Sequence, residues 1–451
     1  MKLSQLIIRP FVVLVERYYP DPFVFAIILT FVTIFLSLGL TDAGLQQTII
    51  AWGDGLSSLF AFTTQICLTL IGAHVLSHTE PVKKVLVRCG SLPRTQFQAY
   101  ALTAVITGLF SLLAWSLCLV AGAILAKEVA IQCQQKHLKL HYPLLVAAAY
   151  SGMVVWHMGY SGSATLSVAT PDHPLQDMMG ILPVTETMLA PANIILALGT
   201  ILAVALTCAL LHPDEDDVIE INLSKLRLID DLIVEDENKN NSLKTFASYL
   251  DNMRGLNISI ALLFASYLVI WFYTKGFALN LNIVIWSFIC LGLLLANSPV
   301  HYLKLLINAS GPVGLILLQY PFYAGILGIM KGTGLVTVMS NFFTEIATEQ
   351  TLPFFAFLSG GLINIFVPSG GGQWVIQGPI FLEAAKTLNV DPALIVLGVA
   401  YGDQWTNMIQ PFWAIPVLAI AGLHLRQIMG YTFMIFLLTF FLFGGGLLFL
   451  F

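Results

Sequence analysis

Charge is what this 451-residue sequence has least of: Asp, Glu, Lys and Arg make up 10% of it, against about a quarter of an ordinary soluble domain. All twenty Lys and Arg lie in polar loops or at the ends of apolar segments, and Asp403 is the one acid well inside an apolar run. That distribution excludes a nucleic-acid-binding surface and a soluble core. Cysteine is also sparse. Cys67, Cys89, Cys118, Cys133, Cys208 and Cys290 form no ligand spacing, so they read as packing residues or cytoplasmic thiols rather than a metal or disulfide framework. No small-residue cleavage site follows the amphipathic start MKLSQLIIRPFVVLVERYYP, so residues 1–22 read as an interfacial helix ahead of an uncleaved first span. What is present instead is apolar: 57% of residues are hydrophobic and the mean hydropathy is +0.85. The chain is expected to be an all-α polytopic membrane protein.

A helix needs about 20 apolar residues to cross a bilayer. Candidate segments are 23–40, 56–78, 97–126, 143–165, 187–211, 256–274, 281–297, 305–330, 352–387, 392–422 and 428–451. Two of them, 97–126 and 352–387, are too long for a simple crossing. The polar stretch 212–255 carries eleven acids against five bases and reads as an acidic cytoplasmic linker between repeats 23–211 and 256–451. An offset of about 250 residues places Gly152 on Gly402, Met158 on Met408 and Leu112-Leu113-Ala114 on Leu362-Ile363-Asn364. An offset of 208 aligns one region only.

Charge then orients the repeats. Lys83, Lys84, Arg88 and Arg94 precede segment 97–126, and Lys127, Lys136 and Lys139 follow it, which puts both its ends in the cytoplasm under the positive-inside rule. Segment 352–387 is flanked mainly by Glu345, Glu349, Glu383 and Asp391, which puts both its ends outside. Each is expected to be a re-entrant hairpin in one of two inverted-topology repeats. Nine crossings plus two hairpins give a cytoplasmic N-terminus and an external C-terminus.

Residues 364–379, NIFVPSGGGQWVIQGP, put amides, prolines and glycines at membrane depth. Irregular backbone is tolerated there only when buried in protein or lining a watery cavity. Gly370, Gly371 and Gly372 allow close backbone approach, and the helix start that follows offers about half a positive charge. Such a break can hold an anion without Lys or Arg. The plainer reading is close helix packing.

That stretch, with GDQWTNMIQPFWAIP (402–416) and YPLLVAAAYSGMVVWHMGYSGSATL (142–166), resembles the short-chain fatty acid transporter family over nearly the whole chain. The Pro-Ser-Gly-x-Gly-Gln and Gly-Asp-x-x-Thr-Asn-Met-Ile elements are also similar to more distant carboxylate carriers of the ion transporter superfamily. That similarity implies an interrupted transmembrane helix in each repeat and a site between two hairpin tips and two interrupted helices. The resemblance implies secondary active transport of small monocarboxylates such as butyrate or acetoacetate across a bacterial cytoplasmic membrane, coupled to H⁺ or Na⁺ and without another cofactor. The partners it implies are the substrate and the lipid bilayer, with no nucleic acid; a homodimer is left open. It implies a substrate site of Asn364, Ser369, Gly370, Gly371, Gly372, Gln373, Trp374, Thr406 and Asn407, joined by His157, Ser161 and Ser163. It implies a coupling-ion site of Asp403, Asn407 and Asn364. Hairpin 97–126 lacks the Pro-Ser-Gly element and has Ala114 opposite Asn364, so the first half must contribute through residues 150–165.

Asp403 is the strongest single residue, because a carboxylate costs about 2.5–3.5 kcal/mol or more at bilayer depth and such groups usually face a cavity. It could bind Na⁺ with Asn407 or carry a proton; the plain alternative is a polar group satisfied by Thr406. His157 is either a substrate or proton group or a satisfied core histidine. Trp374, Trp405 and Trp413 either wall an apolar pocket or simply pack. Gly159-Tyr160-Ser161-Gly162 raises an intramembrane serine protease as a rival, which would need His74 or His157 beside Ser161. A passive anion channel and a dicarboxylate carrier are further rivals. The charge pattern predicts that cysteines placed at positions 46 and 176 react with an impermeant thiol reagent from outside, while Cys89 and Cys133 do not. Labelling of Cys89 with position 46 protected would reverse the orientation.

Overall fold

The computed structural model describes residues 22–213, 217–221, 245–276, 278–309, 311–366 and 370–451, and every regular element among them is a helix. The expected interfacial helix, most of the linker and residues 367–369, Ser369 included, lie outside the described residues. Six described helices are long and apolar enough to cross a membrane: Phe60–Ser77, Gln96–Leu113, Trp115–Gln135, Pro191–Leu210, Arg254–Lys275 and Leu425–Phe449. The pair Leu317–Gly332 and Leu335–Ile346, bent by 77°, raises the number to seven. Gln96–Leu113 and Trp115–Gln135 are the two arms of the expected hairpin 97–126, so five of the nine expected crossings are among these helices. Segments 143–165 and 392–422 are interrupted, and Ala26–Leu40 and Leu281–Leu295 are shorter apolar helices. Stretch 41–55, between the first two candidate segments, contains the amphipathic helix Leu45–Gly55.

Ten helices position the site. α1 (Gln96–Leu113) and α2 (Trp115–Gln135) form a helical hairpin. Thr95 starts it by accepting the Gln98 N–H at 3.2 Å, and Ala114 turns it with extended dihedrals, φ −161° and ψ 125°. Its open ends meet where Gln96 Nε2 donates to the Lys139 carbonyl at 2.8 Å. The second arm runs to Gln135 rather than stopping near 126, because Val129, Ala130 and Cys133 continue its buried face. Cys133 is fully buried, so Cys89 alone carries the thiol-labelling test on that side.

The first interrupted helix follows as α3 (Tyr142–Ser151), a 3₁₀ turn Gly152–Met158 and α4 (Ser163–Val168). α5 (Pro191–Leu210) closes this half. At the start of α3, linker residue Ile219 donates its N–H to His141 Nδ1 at 3.1 Å and accepts the Tyr142 N–H at 2.8 Å. Burial pushes the His141 imidazole down to about 4, which keeps it a neutral acceptor. In the second half α6 (Leu352–Phe366) and α7 (Gly370–Leu388) flank the glycine-rich break, and Ser359 on one donates to Gln377 Oε1 on the other at 2.8 Å. α8 (Pro392–Thr406), a 3₁₀ turn Asn407–Ile409 and α9 (Pro411–Ala421) form the second interrupted helix, packed on α10 (Leu425–Phe449). Asp391 caps α8 through the Ala393 N–H at 2.8 Å. Pro411 ends the 3₁₀ turn by holding Gln410 extended, at φ −87° and ψ 128°.

Both interrupted helices press a glycine onto the first arm of their own hairpin. A β-carbon on Gly152 would run into Thr107 and the Gly108 backbone of α1, and one on Gly402 into the Phe357 carbonyl and the Gly361 backbone of α6. The glycines that the 250-residue offset pairs therefore make matching contacts. Gly402→Ala should lower stability by about 1–3 kcal/mol through overpacking, whereas Gly445→Ala, where a β-carbon meets nothing within 4 Å, should be neutral. Thermal unfolding in detergent checks both; equal midpoints would mean the helices can separate without cost.

Candidate functional site

The two 3₁₀ turns and the start of α7 converge on one buried polar cluster. At its centre His157 Nδ1 lies 2.9 Å from Asp403 Oδ2, with the two residues 0% and 1% exposed. The other ring nitrogen, Nε2, accepts the Ala164 N–H at 2.9 Å. A neutral imidazole has one donor and one acceptor nitrogen. Since Nε2 accepts, Nδ1 carries the hydrogen and donates to Asp403. The His157 backbone N–H donates to Gln404 Oε1 at 3.0 Å, so consecutive residues of α8 grip the same turn. Trp156 stacks on the imidazole with ring centroids 4.2 Å apart.

Asn364, near the end of α6, ties the second turn to the hairpin. Its Nδ2 lies 2.7 Å from the Asp403 carbonyl, 3.0 Å from Thr406 Oγ1 and 2.6 Å from Asn407 Oδ1. Gln410 Nε2 in turn donates to the Asn364 carbonyl. The start of α7 faces the first half. A β-carbon on Gly370 would lie 2.5 Å from His157 Cε1, 2.7 Å from Ser163 Oγ and 2.8 Å from Trp156 Cη2. One on Gly371 would meet Phe62 Cζ at 2.6 Å. Gln373, behind them, accepts from Gln377 Nε2 at 3.1 Å.

The sequence-derived residues divide by position. Asp403, His157, Asn364, Thr406, Asn407, Ser163 and Gly370 meet in this cluster; Gly371, Gly372, Gln373 and Trp374 continue from it along α7. Ser161 is turned elsewhere: its Oγ accepts the Trp115 N–H at 2.9 Å and seals the tip of the first hairpin. Trp405 packs away from the cluster, stacked 4.5 Å from Phe436 with its Nε1 on the Phe436 carbonyl, and Trp413 packs against Trp115. Gln404, Gln410, Asn193, Tyr150 and Tyr401 were not singled out from the sequence, although Gln404 and Gln410 stand inside the quoted GDQWTNMIQP and Asn193 is an amide in an apolar run.

Several buried polar atoms here have no hydrogen-bond partner among the described residues: Asn364 Oδ1, Gln373 Nε2, Trp374 Nε1, Gln404 Nε2, Asn407 Nδ2, Gln410 Oε1 and Trp156 Nε1. Most are N–H donors. Buried polar groups are ordinarily satisfied, so this set suits a small ligand rich in acceptors. Ser163, His157 and Asp403 also fall in the order of a hydrolytic triad. Ser163 Oγ, however, lies 3.4 Å from Nε2, whose single lone pair is already taken by the Ala164 N–H.

The short-chain fatty acid transporter family model matches residues 3–450. This chain belongs to the short-chain fatty acid transporter family. It is 37% identical over 420 residues to a provisionally named short-chain fatty acid transporter of Escherichia coli (strain K12), covering 92% of this chain and 93% of that one. A Haemophilus influenzae relative with the same provisional name is 35% identical over 446 residues, 97% of each chain. The family is one of transporters, not enzymes. In fold the chain is similar to the Alcanivorax borkumensis YdaH transporter, with a TM-score of 0.57 at 15% identity over 94% of this chain and 98% of that one. The short-chain fatty acid transporter fold is thus all-helical and multi-pass, with hairpins and interrupted helices meeting at its centre.

Gly370→Val should abolish transport, because its side chain must displace His157, Trp156 and Ser163 together. Protein level and membrane insertion should stay near normal. Labelled-substrate uptake in cells checks it, and unimpaired uptake would remove α7 from the site.

Proposed function

We propose that this protein is a secondary active symporter of short-chain monocarboxylates of the butyrate and acetoacetate class, working in a bacterial cytoplasmic membrane. Its two halves are inverted repeats, each with a re-entrant hairpin, and its substrate sits between the start of α7 and the two interrupted helices. The observation that carries this reading is the buried cluster of unpartnered N–H donors around the His157–Asp403 pair. One carboxylate can be held there by amide, indole and backbone donors.

A second carboxylate would find no cationic side chain at that depth, since every Lys and Arg lies in a polar loop or at the end of an apolar segment. Removing an unpaired charge from water is expensive, which favours monocarboxylates over dicarboxylates. The same logic favours symport over a passive channel. An anion entering beside an ionised Asp403 needs an accompanying cation. Asp403, Asn407 and Asn364 are the groups that would hold Na⁺, and Asp403 with His157 the groups that would hold H⁺. The site chemistry is common to both.

Proteoliposomes should accumulate labelled butyrate when a proton or a sodium gradient is imposed, and the effective gradient identifies the coupling ion. Butyrate should compete better than acetate, by about 0.8 kcal/mol per buried methylene. Octanoate should fail on size and succinate should hardly compete at neutral pH. Asp403→Asn should lower gradient-driven accumulation about tenfold or more, as expected for loss of a buried charged partner. Competition by succinate equal to butyrate would move the assignment to a dicarboxylate carrier.

A further inference from the structure

Among the described residues Tyr142, Tyr150 and Tyr401 carry hydrogen bonds from one half of the molecule to the other; Tyr150 ends on an interruption directly and Tyr401 reaches one through Asn193. Tyr150, on α3 just before the first turn, donates its hydroxyl to the Asn407 carbonyl at 2.5 Å. Asn407 is the first residue of the second turn, and its side-chain Oδ1 meets Asn364 Nδ2 at 2.6 Å. Tyr401, on α8 just before the second turn, donates to Asn193 Oδ1 at 2.7 Å. Asn193 Nδ2 then reaches the Met158 carbonyl at 3.0 Å and the Met188 carbonyl at 2.7 Å. Met158 is the last residue of the first turn, directly after His157. Tyr150, Tyr401 and Asn193 are each no more than 1% exposed.

The arrangement is reciprocal but not identical. Tyr150 stands two residues before Gly152, and Tyr401 one residue before Gly402. A one-residue slip rotates a helical side chain by about 100°. Tyr150 therefore meets the opposite turn directly, whereas Tyr401 reaches it through Asn193 of α5. The Asn407 carbonyl keeps only the Gln410 N–H at 3.2 Å, because Pro411 has none to give, and the Met158 carbonyl has no backbone N–H partner among the described residues. No water supplies a further donor at lipid depth. The hydroxyl and amide are the donors that fix where those carbonyls sit.

We infer that Tyr150 and the Tyr401–Asn193 pair are positioning residues for the substrate site, each half setting the angle at which the other half's interrupted backbone presents its site residue: Asn407 through Tyr150, and His157 through Asn193. This rests on the functional reading above. Tyr142 serves as an internal control. It makes the same kind of bond across the halves, its hydroxyl on the Ala421 carbonyl at 3.1 Å, but Ala421 ends α9 rather than adjoining the site.

The test is labelled-butyrate uptake by proteoliposomes of Tyr142→Phe, Tyr150→Phe, Tyr401→Phe and Asn193→Ser, with half-saturation and maximal rate resolved and thermal midpoints measured on the same preparations. Tyr150→Phe and Tyr401→Phe should each raise the half-saturation concentration about threefold to tenfold, the scale of one hydrogen bond, with maximal rate within about twofold. Tyr142→Phe should lower the thermal midpoint and leave half-saturation unchanged. The double variant Tyr401→Phe/Asn193→Ser should be no worse than Asn193→Ser, because the two residues form one tie. Should Tyr401→Phe fail to insert, Asn193→Ser reads the same tie. If all three tyrosine variants lose stability alike and none shifts half-saturation, the ties are structural only and the inference falls. If the unaltered protein takes up no monocarboxylate under any gradient, the functional reading itself fails, and the positioning role with it.

Discussion

Backbone groups released by breaking a helix must find partners inside the protein when no water is at hand. That constraint accounts for the polar side chains that meet the broken helices at the centre of this molecule. Ser161 takes the Trp115 N–H, and the Tyr160 N–H takes the Leu112 carbonyl at the first hairpin. Asn193, Tyr150, Gln410 and Gln404 serve Met158, Asn407, Asn364 and His157 in turn. Each partner comes from a different element than the group it satisfies. Two of these ties, Tyr150 to Asn407 and Gln404 to His157, also join the halves, so part of what repairs the broken helices holds the two halves together.

The two halves use this economy unequally. The first hairpin closes its own tip: Ala114 turns it, Ser161 seals it and Trp413 packs on Trp115. In the second half, Gly370 at the start of α7 abuts His157 and Ser163. The cluster is consequently built from one hairpin and two interrupted helices rather than from two equivalent hairpins. The missing Pro-Ser-Gly element in residues 97–126 has this structural counterpart: without it, the first half delivers its contribution on the turn that carries His157.

Much of this was legible from the cost of polar groups in apolar runs. Asp403, Asn364 and His157 stood out because each is expensive where it lies, and all three meet. The breaks at Ala114 and after Phe366 were legible as segments too long to cross once. The partner of each residue was not legible, because hydrogen-bond direction depends on helix rotation, which a one-residue slip alters by about 100°. Tyr150 and Tyr401 looked like ordinary apolar-face aromatics, and Ser161 and Ser163, two residues apart, face different hairpins. Trp405 illustrates the converse: its neighbours in the motif face the cluster while its own ring packs against α10. The helices Leu45–Gly55 and Leu335–Ile346 were missed because amphipathic runs of 11 and 12 residues read as loops when spans are being counted.

Charge balance at the cluster leads one step further on the proposed reading. With Nε2 accepting from Ala164, the His157–Asp403 pair has a neutral imidazole donating to an acceptor oxygen. With Asp403 ionised the pair would carry one net negative charge, and with Asp403 protonated it would carry none. A carboxylate brought within about 4 Å of the ionised pair would be opposed by roughly 4 kcal/mol at an effective dielectric constant of 20. Neutral N–H donors stabilise the newcomer but leave the sum at two negative charges. One cation restores the balance, either as Na⁺ among oxygens or as a proton on the pair. A proton on Nε2 would have to displace the Ala164 N–H, and so shift the start of α4 and its contact with Gly370. Coupling and conformation would then meet at one nitrogen atom, because a single lone pair cannot serve the helix start and the proton together.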